Sequence, residues 1–105
     1  MTDTKRHRRT LDPDQALMAL RPAFMELGIR EISAFPDALV FKIGCGSWTA
    51  FVELSLNDWD LYDLEIFKRR SGKIKTLRTL NSLYWDVLAA ELIAAWCDIC
   101  TGTGR

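Results

Sequence analysis

The chain has 105 residues, a length that fits one domain and not two. Hydrophobic residues make up 49% of it and charged residues 27%, which excludes wholesale disorder. Fourteen Lys and Arg against fourteen Asp and Glu leave no net charge to select an anionic partner. The expected organisation is a flexible basic arm over residues 1–10, followed by a single domain over 11–105. No apolar stretch of signal-peptide type follows the charged N-terminal residues, and three cysteines, Cys45, Cys97 and Cys100, do not suit a disulfide framework. Both observations predict a cytoplasmic protein.

After the polar stretch MTDTKRHRRT, Asp12-Pro13-Asp14-Gln15 reads as a helix start: a capping aspartate, proline at the first helical position and Gln15 at capping-box spacing. Leu17, Leu20, Phe24 and Leu27 recur at steps of three and four. Pro22 should kink or shorten this helix, and Gly28 is placed to end it. Phe35-Pro36-Asp37 is turn-like. Leu39, Phe41 and Ile43 then alternate with polar or outward positions, as do Trp48, Ala50, Val52, Leu54 and Leu56, and Tyr62, Leu64 and Ile66. Gly44-Cys45-Gly46-Ser47, Asn57-Asp58 and Ser71-Gly72 supply short connections, the last leading into a strand over 73–80. Short connections between strands predict antiparallel neighbours.

A final helix is expected from Ser82 to Cys100, with Trp85, Leu88, Ala89, Leu92, Trp96 and Ile99 on its deepest face. It falls short of the roughly 20 apolar residues of a membrane span and contains Asp86, Glu91 and Asp98, so no membrane association is expected. Its apolar stripe is wider than one sheet face covers. Tyr84, Val87, Ile93 and Cys97 are therefore expected to meet the first helix or a second copy, which predicts a homo-oligomer. The predicted fold is α+β: an antiparallel meander sheet of four to five strands, flanked by an N-terminal and a C-terminal helix packed on one face.

Three groups of residues carry candidate chemistry. Trp59, Asp60, Tyr62 and Asp63 combine acids with aromatic anchors and read as a protein-binding patch. Lys5, Arg6, Arg8 and Arg9 in the arm, with Lys68, Arg69, Arg70, Lys73 and Lys75 at the hairpin, offer an alternative nucleic-acid contact. Cys97 and Cys100 offer an alternative zinc site, although structural zinc takes four ligands and only Cys45 and His7 remain to add. The bland reading of the pair is the end of a buried helix, where a free cysteine acts as a small hydrophobe, and on it no cofactor is expected. The lone histidine, His7, lies in the arm, so the folded part has no histidine base and no enzyme activity is expected.

Two resemblances follow from these residues. Cys97-Asp98-Ile99-Cys100-Thr101-Gly102-Thr103-Gly104 resembles a single CxxCxGxG repeat of the zinc-binding region of DnaJ-type chaperones, which implies zinc as the metal. Asp60-Leu61-Tyr62-Asp63-Leu64-Glu65-Ile66, a basic hairpin, and Ser82-Leu83-Tyr84-Trp85-Asp86-Val87-Leu88 together resemble small uncharacterised proteins of phages and mobile elements over about the last half of the chain. That resemblance implies an accessory product acting by binding, for instance as an inhibitor of a host defence system of the anti-CRISPR kind, and it supplies no catalytic residues.

Overall fold

The computed structural model describes residues 10–45 and 48–102. The arm cations Lys5, Arg6, Arg8 and Arg9, with His7, lie outside the described residues. Asp12 opens the first helix, α1 (Pro13–Leu20), as its sequence suggests: Oδ1 accepts the backbone N–H of Asp14 at 3.0 Å and that of Gln15 at 3.5 Å. Pro22 cannot donate a helical hydrogen bond, and the chain tightens there into a 3-10 turn (Arg21–Ala23) before a short second helix, α2 (Phe24–Leu27). Gly28 ends it with φ +64°, the left-handed conformation that costs glycine nothing.

Five strands follow: β1 (Arg30–Phe35), β2 (Ala38–Cys45), β3 (Trp48–Leu56), β4 (Tyr62–Arg70) and β5 (Lys73–Leu83). They form one sheet in chain order, every neighbouring pair antiparallel. The last helix, α3 (Leu88–Gly102), packs with α1 and the 3-10 turn on a single face of this sheet. The predicted α+β meander is thus the observed fold, with β1 as its fifth strand. β1 shows no alternating pattern because it is an edge strand whose side chains are almost all exposed.

The inner face presents Leu39, Phe41 and Ile43 from β2, Ala50, Val52 and Leu54 from β3, and Tyr62, Leu64 and Ile66 from β4. Leu20, Ala23 and Leu27 from the first helical segment, and Leu88, Leu92, Trp96 and Ile99 from α3, close the core above them. Each fully buried side chain of this size contributes roughly 1.5–3 kcal/mol over leaving it in water. On the opposite, helix-free face Phe51 and Phe67 stack with ring centroids 5.7 Å apart. Lys42 and Arg69 lie over the Phe51 ring at 5.7 and 5.2 Å.

The C-terminal region departs from expectation. Ser82 and Leu83 belong to β5, residues 84–87 form a turn, and α3 begins only at Leu88. Two register shifts in the β4–β5 pair explain why the sequence conceals this. Each inserts an extra residue into β5, so that Leu77, Leu80 and Leu83 recur every three positions, a helix-like spacing inside a strand. Trp85, expected on the deepest face of a helix, is consequently exposed. The outer side of α3 is made small and polar by Ala90, Glu91, Ala94, Cys97 and Asp98, and Arg78 of β5 donates to Asp98 Oδ2 at 2.9 Å. Among the described residues no helix is long and apolar enough to cross a membrane.

Candidate functional site

At the end of the sheet where β4 begins, three segments converge: the start of α1, the β3–β4 connection and the turn between β5 and α3. They enclose a groove of about 640 Å³, within the range of small-ligand and side-chain pockets. Met18 and Ala19 line one side, Leu56, Leu61 and Tyr62 the floor, Tyr84 and Trp85 the other side, and Asp12 and Asp60 the rim. Trp59 stands beside it on the same connection as Asp60 and Leu61. Four large apolar side chains are turned out to solvent here: Met18 at 66%, Trp59 at 79%, Tyr84 at 63% and Trp85 at 70% exposure. Such clustering, as distinct from single exposed hydrophobics, marks interaction surfaces.

The loops that carry these rings are held by one polar hub. The Asn57 Oδ1 accepts the backbone N–H of Trp59 at 2.8 Å and of Leu61 at 3.2 Å, an Asx-type turn that fixes the β3–β4 connection. Asn57 Nδ2 donates to Asp63 Oδ1 at 3.0 Å and to Ser82 Oγ at 3.2 Å. Two backbone bonds close the same loop, from Asn57 N to Leu61 O and from Asp60 N to Asn57 O, at 2.9 and 3.0 Å. Val87 N donates to Tyr84 O at 3.1 Å and completes the second turn. Trp59 and the Tyr84–Trp85 pair are therefore displayed on backbone that is already organised, which lowers the ordering cost of binding.

Tyr62 lies under the groove with only 7% of its surface exposed. Burial, and secondarily the nearby Asp12 carboxylate, push its phenol pKa above the ordinary value, so it stays a neutral hydroxyl at physiological pH.

The sequence-level patch is thus divided. Asp60 and Tyr62 line the groove and Trp59 stands beside it, whereas Asp63 points to the other face of the sheet and serves the hub. Asp63 and Glu65 share that helix-free face: Asp63 holds Asn57 and Ser82, and Glu65 Oε2 accepts the Thr76 hydroxyl at 2.6 Å. Tyr84 and Val87 are on the turn before α3, Ile93 is half-buried against the core and Cys97 is exposed on the helix, so the four do not form one helical stripe. Sequence reasoning missed Met18 and Trp85 as groove residues; Met18 sits off the Leu17–Leu20 stripe, which was the available signal.

Lys68, Arg69, Arg70, Lys73 and Lys75 come together on the two-stranded end of β4 and β5, beyond the last paired position of β3, Phe51 with Phe67. Ser71 and Gly72 turn this ribbon with φ +54° and +77°. Cys97 and Cys100 lie one helical turn apart, the first exposed and the second half-buried, and no group of three metal-ligating side chains occurs among the described residues.

No protein-family model matches the chain, and comparison with curated proteins and with solved structures yields no match.

Proposed function

We propose that this protein is a non-enzymatic binding domain whose groove docks a protein segment carrying apolar side chains flanked by cations. The observation that carries this reading is the exposure of Met18, Tyr84 and Trp85 along a groove with an apolar floor, with exposed Trp59 beside it on a hydrogen-bonded connection. Tryptophan and tyrosine are the side chains that most often dominate interface energetics. The charge of the partner follows from the rim. Asp12 and Asp60 form it, Asp14, Asp58 and Asp86 lie on the same three segments, and among the described residues these segments carry no lysine or arginine. An inhibitor from a phage or mobile element, acting by occupying its target, is the setting that the weak sequence resemblance suggests.

The test uses NMR titration with a designed Lys/Leu-rich peptide and its Glu/Leu counterpart. The reading expects shifts at Trp59, Tyr84 and Trp85 with the first peptide alone, and at least a tenfold affinity loss in the Trp59→Gln/Trp85→Gln variant. Shifts confined to the helix-free sheet face, or equal binding of both peptides, overturn it.

A second reading, contact with a nucleic-acid backbone, is favoured by the ribbon, whose eight residues 68–75 hold five cations and no acid. It ranks second because the acids of the groove end cancel that charge over the molecule. Duplex binding that falls steeply with salt and vanishes in the Lys73→Glu/Lys75→Glu variant is its signature.

A further inference from the structure

We infer that the segment fitting the groove is present in the protein itself: the basic ribbon of one copy docks into the acidic, aromatic groove of another. This rests on the docking reading of the groove and names its occupant. The two surfaces are chemically reciprocal. Asp12 and Asp60 line the groove beside its apolar floor, and Asp14, Asp58 and Asp86 lie on the same three segments, which among the described residues carry no lysine or arginine. The ribbon sequence, residues 68–75, holds five cations and no acid, and in their midst Ile74 is 62% exposed and paired with Arg69 across the strands. An isolated, solvent-exposed isoleucine among cations is the complement of an apolar floor inside a carboxylate rim.

The topology makes the contact intermolecular. Groove and ribbon lie at opposite ends of β4, whose nine residues span about 27 Å at the usual rise per residue. The ribbon is a rigid continuation of the sheet and does not fold back over that distance. The copy that fills the groove is therefore a second chain.

The contact is heterologous: different patches of the two copies meet, and the pattern repeats along a series of molecules unless it closes on itself. Its size sets its strength. The ribbon end, residues 68–75, is well below the roughly 20–30 residues a side of a standard interface, so the association is weak and concentration-dependent. Its charge makes it salt-dependent, because the Debye length shrinks from about 10 Å at 0.1 M to about 3 Å at 1 M salt.

Sedimentation equilibrium of the full chain and two variants tests this. The groove variant is Trp59→Gln/Trp85→Gln. The ribbon variant is Lys73→Gln/Ile74→Thr/Lys75→Gln, with Thr retaining strand propensity; circular dichroism checks that both fold, and Asp58→Asn/Asp86→Asn replaces the groove variant if it does not. The wild-type mean mass should rise with concentration at low salt and fall to the monomer at 1 M salt. Each variant alone should associate at least tenfold more weakly. An equimolar mixture should recover a 1:1 complex, because one variant supplies an intact ribbon and the other an intact groove. A mixture that stays monomeric, or a variant that self-associates as wild type does, overturns the inference. Binding of the Lys/Leu peptide by a wild-type protein that remains monomeric also overturns it, while leaving the docking reading of the groove in place. Loss of both overturns both.

Discussion

The carboxylate of Asp63 accepts the backbone N–H of Ser82 at 2.9 Å, joining strands β4 and β5 where their register shifts. The same oxygen accepts the Asn57 amide, so one acid ties together the two loops that display Trp59 on one side and Tyr84 and Trp85 on the other. Ser82 has φ +56°, a conformation that a non-glycine residue holds only with support, and this bond is part of the support.

Replacing Asp63 by Ala removes the acceptor from two donors. The expected cost is about 1–2 kcal/mol, at the low end for bonds to a charged group because the site is partly open to water. Denaturant unfolding measures it, and hydrogen exchange of the 84–87 turn should accelerate along with it. An unchanged midpoint would show that the hub does not hold the loops.

Core and groove should separate cleanly in mutagenesis. Leu92 is fully buried under the sheet, and Leu92→Ala should destabilise by about 2–5 kcal/mol. Trp59→Gln should change stability by no more than about 0.5 kcal/mol, since the ring is mostly in solvent. Thermal melts of the two variants distinguish a packing leucine from a displayed tryptophan.

Tyr62 gives the stability a dependence on alkaline pH. Its folded pKa is raised by burial and by Asp12, so its contribution is fully present below the ordinary tyrosine value of about 10. As pH rises through that value the unfolded chain ionises first, and the contribution is lost progressively up to the folded pKa. Unfolding free energy should therefore fall above about pH 10, and Tyr62→Phe should flatten that part of the profile.

The ribbon turn has positive φ at both central residues, the signature of a type I′ hairpin. Gly72→Ala should cost about 1 kcal/mol through backbone strain alone, because nothing lies within 4 Å of the position a Cβ would take. Ser71→Asn should stabilise the protein slightly, since Asn tolerates this conformation better than Ser. Opposite signs in chemical denaturation are the expected result.

Residue patterns and structure agree most closely where one face of an element is buried. Leu39-Phe41-Ile43 and Ala50-Val52-Leu54 alternate because the sheet has one apolar face, and both sets are completely buried. They diverge where that constraint lapses. β1 is an exposed edge and has no pattern to read. β5 contains two bulges, which give its inward leucines a helical spacing and move the apparent helix start from Leu88 back to Ser82. The turn position of Trp59 and Asp60 was legible, since Asn57 announces the type of turn they occupy. Asp63 falls on the outer face by alternation with Tyr62 and Leu64, but its bonds to Asn57 and Ser82 depend on residues 6 and 19 positions away.

By itself the sequence determined strands β2 to β4, the antiparallel meander and the caps of the first helical segment, because these follow from local conformational preference and the period of hydrophobicity. Only the tertiary structure decided where Tyr84 and Trp85 would be. They are two aromatic residues flanked by leucines, and local preference is equally satisfied by burying them in a longer helix. What turns them outward is the register of β5 against β4, set by cross-strand hydrogen bonds between residues far apart in the chain. The placement of charge arises in the same way: Asp12, Asp58, Asp60 and Asp86 come from three separate segments that meet near the start of β4, whereas Lys68, Arg69, Lys73 and Lys75 lie at the far end of the β4–β5 pair.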